Sequence, residues 1–247
     1  MSNPFREIQD KILQSEPVDT PELIDAYNCD LCRDTHSVYR VEITGDGPGD
    51  FVQVREWCPK CGLEYKQQLL WKQSGIHEMD RDQMFNSFDE ETDVQLKAKD
   101  AVCELVEGLG VDFIILYGPS GTGKTHLGNA AVIDYIQQGK LARVVRCAEW
   151  LNELRASIDT DETVDVKAYI RKVPLLVFDE LDCRTRFEWD EVVHMLGQRW
   201  ADRLPTIITT NMDVSEWDSS FDRIVSRARD RVRGRMILLD GRDYRHG

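Results

Sequence analysis

GPSGTGKT, residues 118–125, follows the apolar run DFIILY (112–117) and leads into HLGNAAVIDYIQQ, a stretch of helical pattern. In that position the G-x-x-x-x-G-K-[ST] pattern has a mechanical meaning. Its glycines let the backbone turn so that successive N–H groups face phosphate oxygens, and the following helix presents the positive end of its dipole. Gly118, Pro119, Ser120, Gly121, Thr122, Gly123, Lys124, Thr125 and the adjoining His126 are therefore the candidate nucleotide-binding residues. Lys124 is placed to reach the β and γ phosphates and is also a catalytic candidate, while Thr125 offers a hydroxyl to Mg2+.

Working outward, apolar runs alternate with helical patterns, which predicts an α/β domain with a parallel sheet. The candidate strands are DFIILY, ARVVRC, PLLVFD, PTIITT and RMILLD, and helices are predicted over 124–138, 148–158, 189–203 and 220–231. LLVFDE, 175–180, delivers two acids at the end of a buried run. There Asp179 is a candidate Mg2+ ligand and Glu180 a candidate general base for an attacking water. PTIITT ends at Asn211, whose amide has the reach to orient that water or to touch the γ-phosphate.

A second signal lies upstream. Cys29-x-x-Cys32 and Cys58-x-x-Cys61 flank VYRVEI, the turn-rich GDGPGD and FVQVREW, the pattern of two strands joined by a loop. Two such knuckles let four thiolates close a tetrahedral Zn2+ site with no open position, so a structural rather than a catalytic metal is expected. Cys58 lies 26 positions after Cys32, longer than the usual ribbon interval, and His36 is near enough to take the place of a cysteine. Cys103, Cys147 and Cys183 read as packing residues.

Composition sets the class. The 247 residues carry a formal net charge of -14 with a pI near 4.8, which argues against a broad nucleic-acid surface because phosphate contacts need clustered Lys and Arg. No stretch approaches the length of an apolar membrane span, the first residues lack the apolar core of a signal peptide, and seven cysteines do not suggest a disulfide framework. A cytoplasmic protein without membrane contact is expected. The expected domain order is an N-terminal amphipathic helix and leader at 1–26, with Phe5, Ile8, Ile12 and Leu13 at helical spacing, and a zinc-binding module at 27–66. A linker helix and lead-in at 67–107 and an ATPase domain at 108–247 would follow.

GPSGTGKTHLGNAA, LLVFDELD, PTIITTN, the arginine-rich RIVSRARDR and the closing DGRDYR together resemble the AAA+ ATPases of the DnaC and DnaI helicase-loader group, which also includes the IstB-like transposition helpers. The likeness covers roughly residues 75–245, with SGIHEMDRDQMFNSFD similar to the segment leading into the core. Trp189 and Arg199 fall where related sequences carry an aromatic residue and an arginine. The resemblance implies a P-loop AAA+ core of five parallel strands without a separate C-terminal lid domain, plus the small zinc-binding hairpin. It implies ATP as substrate, Mg2+ on Thr125 and Asp179, structural Zn2+ on Cys29, Cys32, Cys58 and Cys61, and Asn211 as sensor 1. It places Arg227 as an arginine finger reaching the neighbouring subunit's nucleotide and Arg245 as a sensor 2 arginine acting in its own subunit.

The function so implied is an ATP-dependent helicase loader in DNA replication. It would hydrolyse ATP at inter-subunit sites of a ring or spiral homo-oligomer and bind a hexameric replicative helicase, with transient single-stranded DNA binding as a further contact. An IstB-like transposition ATPase is the alternative, and a zinc-stabilised nucleotide-dependent adaptor a third reading that the intact Lys124, Asp179 and Glu180 speak against. A P-loop small-molecule kinase is disfavoured, because no substrate lid is evident.

Overall fold

In the run Phe113–Tyr117, Phe113 and Ile115 point to one side of a sheet while Ile114 and Leu116 point to the other, and all four are fully buried. A strand apolar on both faces must be covered twice, and this period of two is the rule for the whole sheet. The computed structural model describes residues 28–43, 51–158, 162–213 and 216–241. The expected N-terminal helix and Arg245 lie outside those residues. The chain divides into two compact units, Met1–Leu63 and Glu64–Gly247.

In the first unit, β1 (Ser37–Ile43) and β2 (Phe51–Trp57) form an antiparallel hairpin with Ser37 opposite Trp57 and Ile43 opposite Phe51. Cys29, Cys32 and Cys58 are its buried core, with Val38 and Cys61 against them. Among the described residues of this unit the three buried cysteines make a small apolar cluster, the setting in which a metal staple is common.

The larger unit runs α1 (Gly62–Gln73), α2 (Asp93–Glu107), β3 (Phe113–Tyr117), α3 (Lys124–Gln137), β4 (Ala142–Arg146), α4 (Cys147–Ala156), α5 (Glu162–Lys172), β5 (Leu175–Asp179), α6 (Arg186–Ala201), β6 (Thr206–Thr210), α7 (Asp222–Ala228) and β7 (Gly234–Leu238), with α1 beginning at the unit boundary. The five strands β3 to β7 form one parallel sheet in the order β4-β5-β6-β3-β7. Helices cover both faces. Ala98, Val102 and Leu105 of α2 and Leu127, Ala131 and Ile136 of α3 pack on the side of Ile114, Val177 and Ile207. Trp150 of α4, Val192 and Leu196 of α6 and Ile224 of α7 pack on the side of Ile115, Phe178 and Ile208.

The five expected strands are all present, the last ending at Leu238 rather than Asp240. The helix Glu162–Lys172 was not among the predicted ones: its pattern is weak, with Val166 and Ile170 as the apolar pair one turn apart that the structure turns inward. The open edge at β4 is partly covered where Val144 N donates to Ser74 O at 2.7 Å. Gly75 makes that approach possible, since a Cβ there would sit 2.2 Å from Val144 O.

Arg199 is fully buried on α6 and acts as a staple. Its Nη1 donates to the carbonyls of Ile170, Arg171 and Val173, its Nη2 to Pro205 O and its Nε to Thr206 Oγ1, all between 2.7 and 3.0 Å. Burial pulls the guanidinium below its usual range, to about 9. The nearby charge of Asp202 opposes that pull, and the five acceptors join the end of α5 to the start of β6.

Candidate nucleotide-binding site and metal centre

The loop between β3 and α3 opens a cavity of about 460 Å3 at the carboxyl ends of the central strands. In an open parallel sheet this end of the strands is where ligands bind, because helix N-termini converge there. Gly118, Gly121 and Gly123 take φ of 128°, 78° and 93°, values a side chain would oppose. Gly118 also touches the backbone, since an added Cβ would lie 2.3 Å from Leu239 O.

Lys124 is 5% exposed, and its Nζ donates to Gly118 O at 2.8 Å, to Pro119 O and to Thr122 Oγ1 at 3.3 Å. The ammonium therefore sits inside the loop, beside the space lined by Ser120, Gly121, Gly123 and Thr125. His126 also faces this cavity, but its side chain turns toward the lead-in segment. Its Nε2 is 3.0 Å from Met84 O, and its ring meets Phe88 edge-on at 5.3 Å.

Behind the cavity-lining Thr125 and Thr209, β5 ends in Asp179, which is 2% exposed. Its Oδ1 accepts from Thr125 Oγ1 at 3.1 Å and from Thr209 Oγ1 at 2.5 Å. Thr125 and Asp179 thus bring two hard oxygen donors together, the donor chemistry that Mg2+ takes, so the pair fits that ion. Glu180 is exposed on the cavity wall with φ 55°, and Asn211 faces it from the end of β6. A second recess of about 520 Å3 shares Glu180 and Asn211 and adds Asp182 and Glu216, which makes it acidic.

Of the two arginines named in the sequence, the described residues include Arg227 alone. Arg227 on α7 does not line the cavity; it is half-buried beside Gly197 of α6, and its guanidinium makes no hydrogen bond or ion pair among the described residues. Burial and the nearby Arg223 both lower its affinity for its proton. Residues that the sequence reading did not single out complete the wall. Gln83, Ser87, Phe88 and Asp89 line it from the lead-in, with Gln83 Oε1 accepting from Asn129 Nδ2 at 2.9 Å, and Thr209 lines it from β6. The sequence signal for the lead-in was its family likeness alone; Thr209 had none, as one threonine in a β-run.

In the hairpin unit the four predicted cysteines converge, their sulfur atoms all within 4.8 Å of one another. Cys29 Sγ is 3.7 Å from Cys58 Sγ and Cys32 Sγ is 3.4 Å from Cys61 Sγ. Four thiolates about 2.3 Å from a tetrahedral zinc stand about 3.8 Å apart, so the cluster fits one such ion. Burial raises the Cys58 thiol, but the N–H groups of Cys61 and Lys60 and the neighbouring thiols outweigh it and bring it down to about 7. His36 Nδ1 lies 3.4 Å from Cys61 Sγ, an outer partner of the thiol, with all four cysteines already in the cluster.

A glycine-rich loop at the head of a central strand, an acidic strand end beside it and a 5-stranded parallel sheet define a P-loop nucleotide-binding protein of the AAA+ kind. The chain belongs to the family described as IstB-like ATP binding protein, whose model matches residues 73–239. It is 24% identical over 171 residues to the replicative helicase loader DnaC of Escherichia coli (strain K12), covering 66% of this chain and 70% of that one. To the replicative helicase loader DnaI of Bacillus subtilis (strain 168) it is 23% identical over 248 residues, 89% of this chain and 79% of the relative. A crystal structure of DnaI superposes with a TM-score of 0.58 at 24% identity, covering 72% of this chain and 98% of that chain. These establish homology to the DnaC and DnaI loaders, a family-level kinship that the hairpin's cysteine cluster accompanies. Among the described residues no helix is long and apolar enough to cross a membrane.

Proposed function

We propose that this chain is an ATP-dependent helicase loader of the DnaC and DnaI kind, converting ATP and water to ADP and phosphate at sites between subunits. The observation that carries the reading is the meeting of Lys124, Thr125, Asp179, Glu180 and Asn211 around one cavity, in a chain homologous to two loaders. In this reading the backbone N–H groups of residues 120–126 and the Lys124 ammonium bind the phosphates, and Thr125 and Asp179 hold Mg2+. The ion would neutralise charge on the β and γ phosphates. Glu180 takes a proton from the attacking water and Asn211 orients that water.

Two features support a site shared between subunits. Arg227 lies off its own cavity without an acid partner among the described residues, and the recess beside Glu180 carries Asp182 and Glu216, charges suited to an incoming arginine. Arg227 then serves a neighbour's ATP and Arg245 its own. The zinc module and the N-terminal segment 1–26 would grip a hexameric replicative helicase, and the homo-oligomer would touch single-stranded DNA transiently.

Glu180→Gln is expected to keep Mg·ATP binding while kcat falls about 100-fold or more, as for loss of a general base. Loss of binding in that variant would argue against the assigned role. Co-purification with a hexameric helicase in the presence of ATP tests the loader reading. The family's IstB-like description favours a second reading, a transposition helper, and tight ATP-dependent duplex binding without helicase capture would select it.

A further inference from the structure

We infer that Thr209 is the positioning residue that sets both Asp179 and Glu180 for hydrolysis, an assignment that rests on the ATPase reading above. The backbone ladder between β5 and β6 pairs Leu176 with Thr206, Val177 with Ile207 and Phe178 with Ile208, and the strand pairing goes no further. From there the side chains of β6 hold the turn. Thr209 Oγ1 donates to Asp179 Oδ1 at 2.5 Å and accepts from Glu180 N at 3.0 Å. Its own carbonyl accepts from Leu181 N at 2.8 Å, and Thr210 Oγ1 donates to Leu181 O at 2.7 Å.

A hydroxyl has one proton and two lone pairs, so these two contacts use its donor on the carboxylate and its acceptor face on the amide. One buried oxygen thereby fixes the side chain of one acid and the backbone of the next. Both need fixing. Asp179 is almost fully buried, and a carboxylate taken out of water must be met by donors; Thr209 and Thr125 supply them to the same oxygen. Glu180 holds φ 55°, a backbone state that a residue with a Cβ adopts only when its surroundings over-determine it. The Thr209 hydroxyl on its N–H, with the two bonds to Leu181, supplies that constraint and keeps the Glu180 carboxylate where the two cavities meet. Asn211 stands two residues further along the same chain, so β6 also places the amide across the cavity.

The test compares Thr209→Ala with Thr209→Ser in the full chain, which differ by the hydroxyl alone. Each is measured for kcat and KM of ATP hydrolysis, for the Mg2+ concentration giving half-maximal turnover, and for melting by circular dichroism. Thr209→Ala is expected to lower kcat about 10- to 100-fold and to raise the half-maximal Mg2+ concentration, the range for losing an outer partner of a metal ligand. KM for ATP should stay within about threefold, because the phosphate loop is untouched. Thr209→Ser should regain most of the lost turnover and restore the Mg2+ dependence. If Thr209→Ala melts too low to assay, Thr209→Val, which keeps the shape, replaces it. A hydroxyl-free variant within about twofold of the unmodified chain in kcat, or a serine variant as impaired as alanine, overturns the Thr209 role while leaving the ATPase reading intact. Absence of Mg·ATP turnover in the unmodified chain defeats the ATPase reading, and the Thr209 role with it.

Discussion

Gly123 illustrates how narrowly the phosphate loop is drawn. It combines φ 93° with the ring of Phe88, whose Cε2 would lie 2.6 Å from an added Cβ. Phe88 comes from the lead-in segment and meets His126 on its other contact, so one methyl group would push at the loop and the lead-in together. Gly123→Ala is therefore expected to weaken ATP binding at least about tenfold, with a stability loss of about 1–3 kcal/mol from the strained backbone. Titration with a fluorescent ATP analogue and urea unfolding check the two parts separately; an alanine variant binding as tightly as the parent would show that the loop and Phe88 move apart easily.

Among the secondary-structure elements, the sequence was clearest where the period was local. The apolar runs DFIILY, PLLVFD and PTIITT placed the central strands, VYRVEI and FVQVREW the hairpin, and the two Cys-x-x-Cys pairs its cysteine cluster, because neighbouring residues carry those signals themselves. Helix Glu162–Lys172 was not legible, since its inward face becomes apolar only against α4 and α6. The start of α6 was set by chemistry rather than by pattern: Thr185 Oγ1 accepts from Glu188 N while Glu188 Oε2 accepts from Thr185 N, a reciprocal cap that begins the helix three residues before the predicted Trp189. For the hairpin, elemental analysis should find about one zinc per chain, and Cys58→Ser should lose it, because three thiolates no longer close the tetrahedron. Retention of equimolar zinc in that variant would exclude Cys58 as a ligand and bring His36 into the set.

In the assembled protein, the proposed division of labour between Lys124 and Arg227 is open to a complementation experiment. If the arginine acts across an interface, neither Lys124→Ala nor Arg227→Ala should turn over ATP alone, but a mixture of the two should recover a measurable fraction. One kind of junction then joins an intact phosphate loop to an intact arginine. Specific activity of the unmodified chain should also rise with protein concentration as the interfaces form. A mixture as inactive as either parent would place Arg227 outside the neighbour's site. The charge pattern agrees with the proposal: a chain with net charge -14 keeps eight arginines after Phe221, and the described ones among them divide between local partners and open positions. Arg233 pairs with Asp112 at 2.9 Å and Arg235 with Glu104 at 3.1 Å, while Arg227 has neither.

The phosphate loop, the acidic strand end, the parallel sheet and the four cysteines were all legible in the chain, because each rests on residues close together in sequence whose spacing follows from backbone geometry or ligand chemistry. The linkage of Thr209 to Asp179 and Glu180, the wall contributed by Gln83, Ser87, Phe88 and Asp89, and the five-bond staple of Arg199 belong to the tertiary structure alone. Thr209 lies 30 residues from Asp179, Arg199 lies 29 from Ile170, and His126 lies 42 from Met84. A hydroxyl or guanidinium carries no mark in sequence of which distant carbonyl or carboxylate it will meet; packing of the sheet decides that, by removing the water that would otherwise have been its partner.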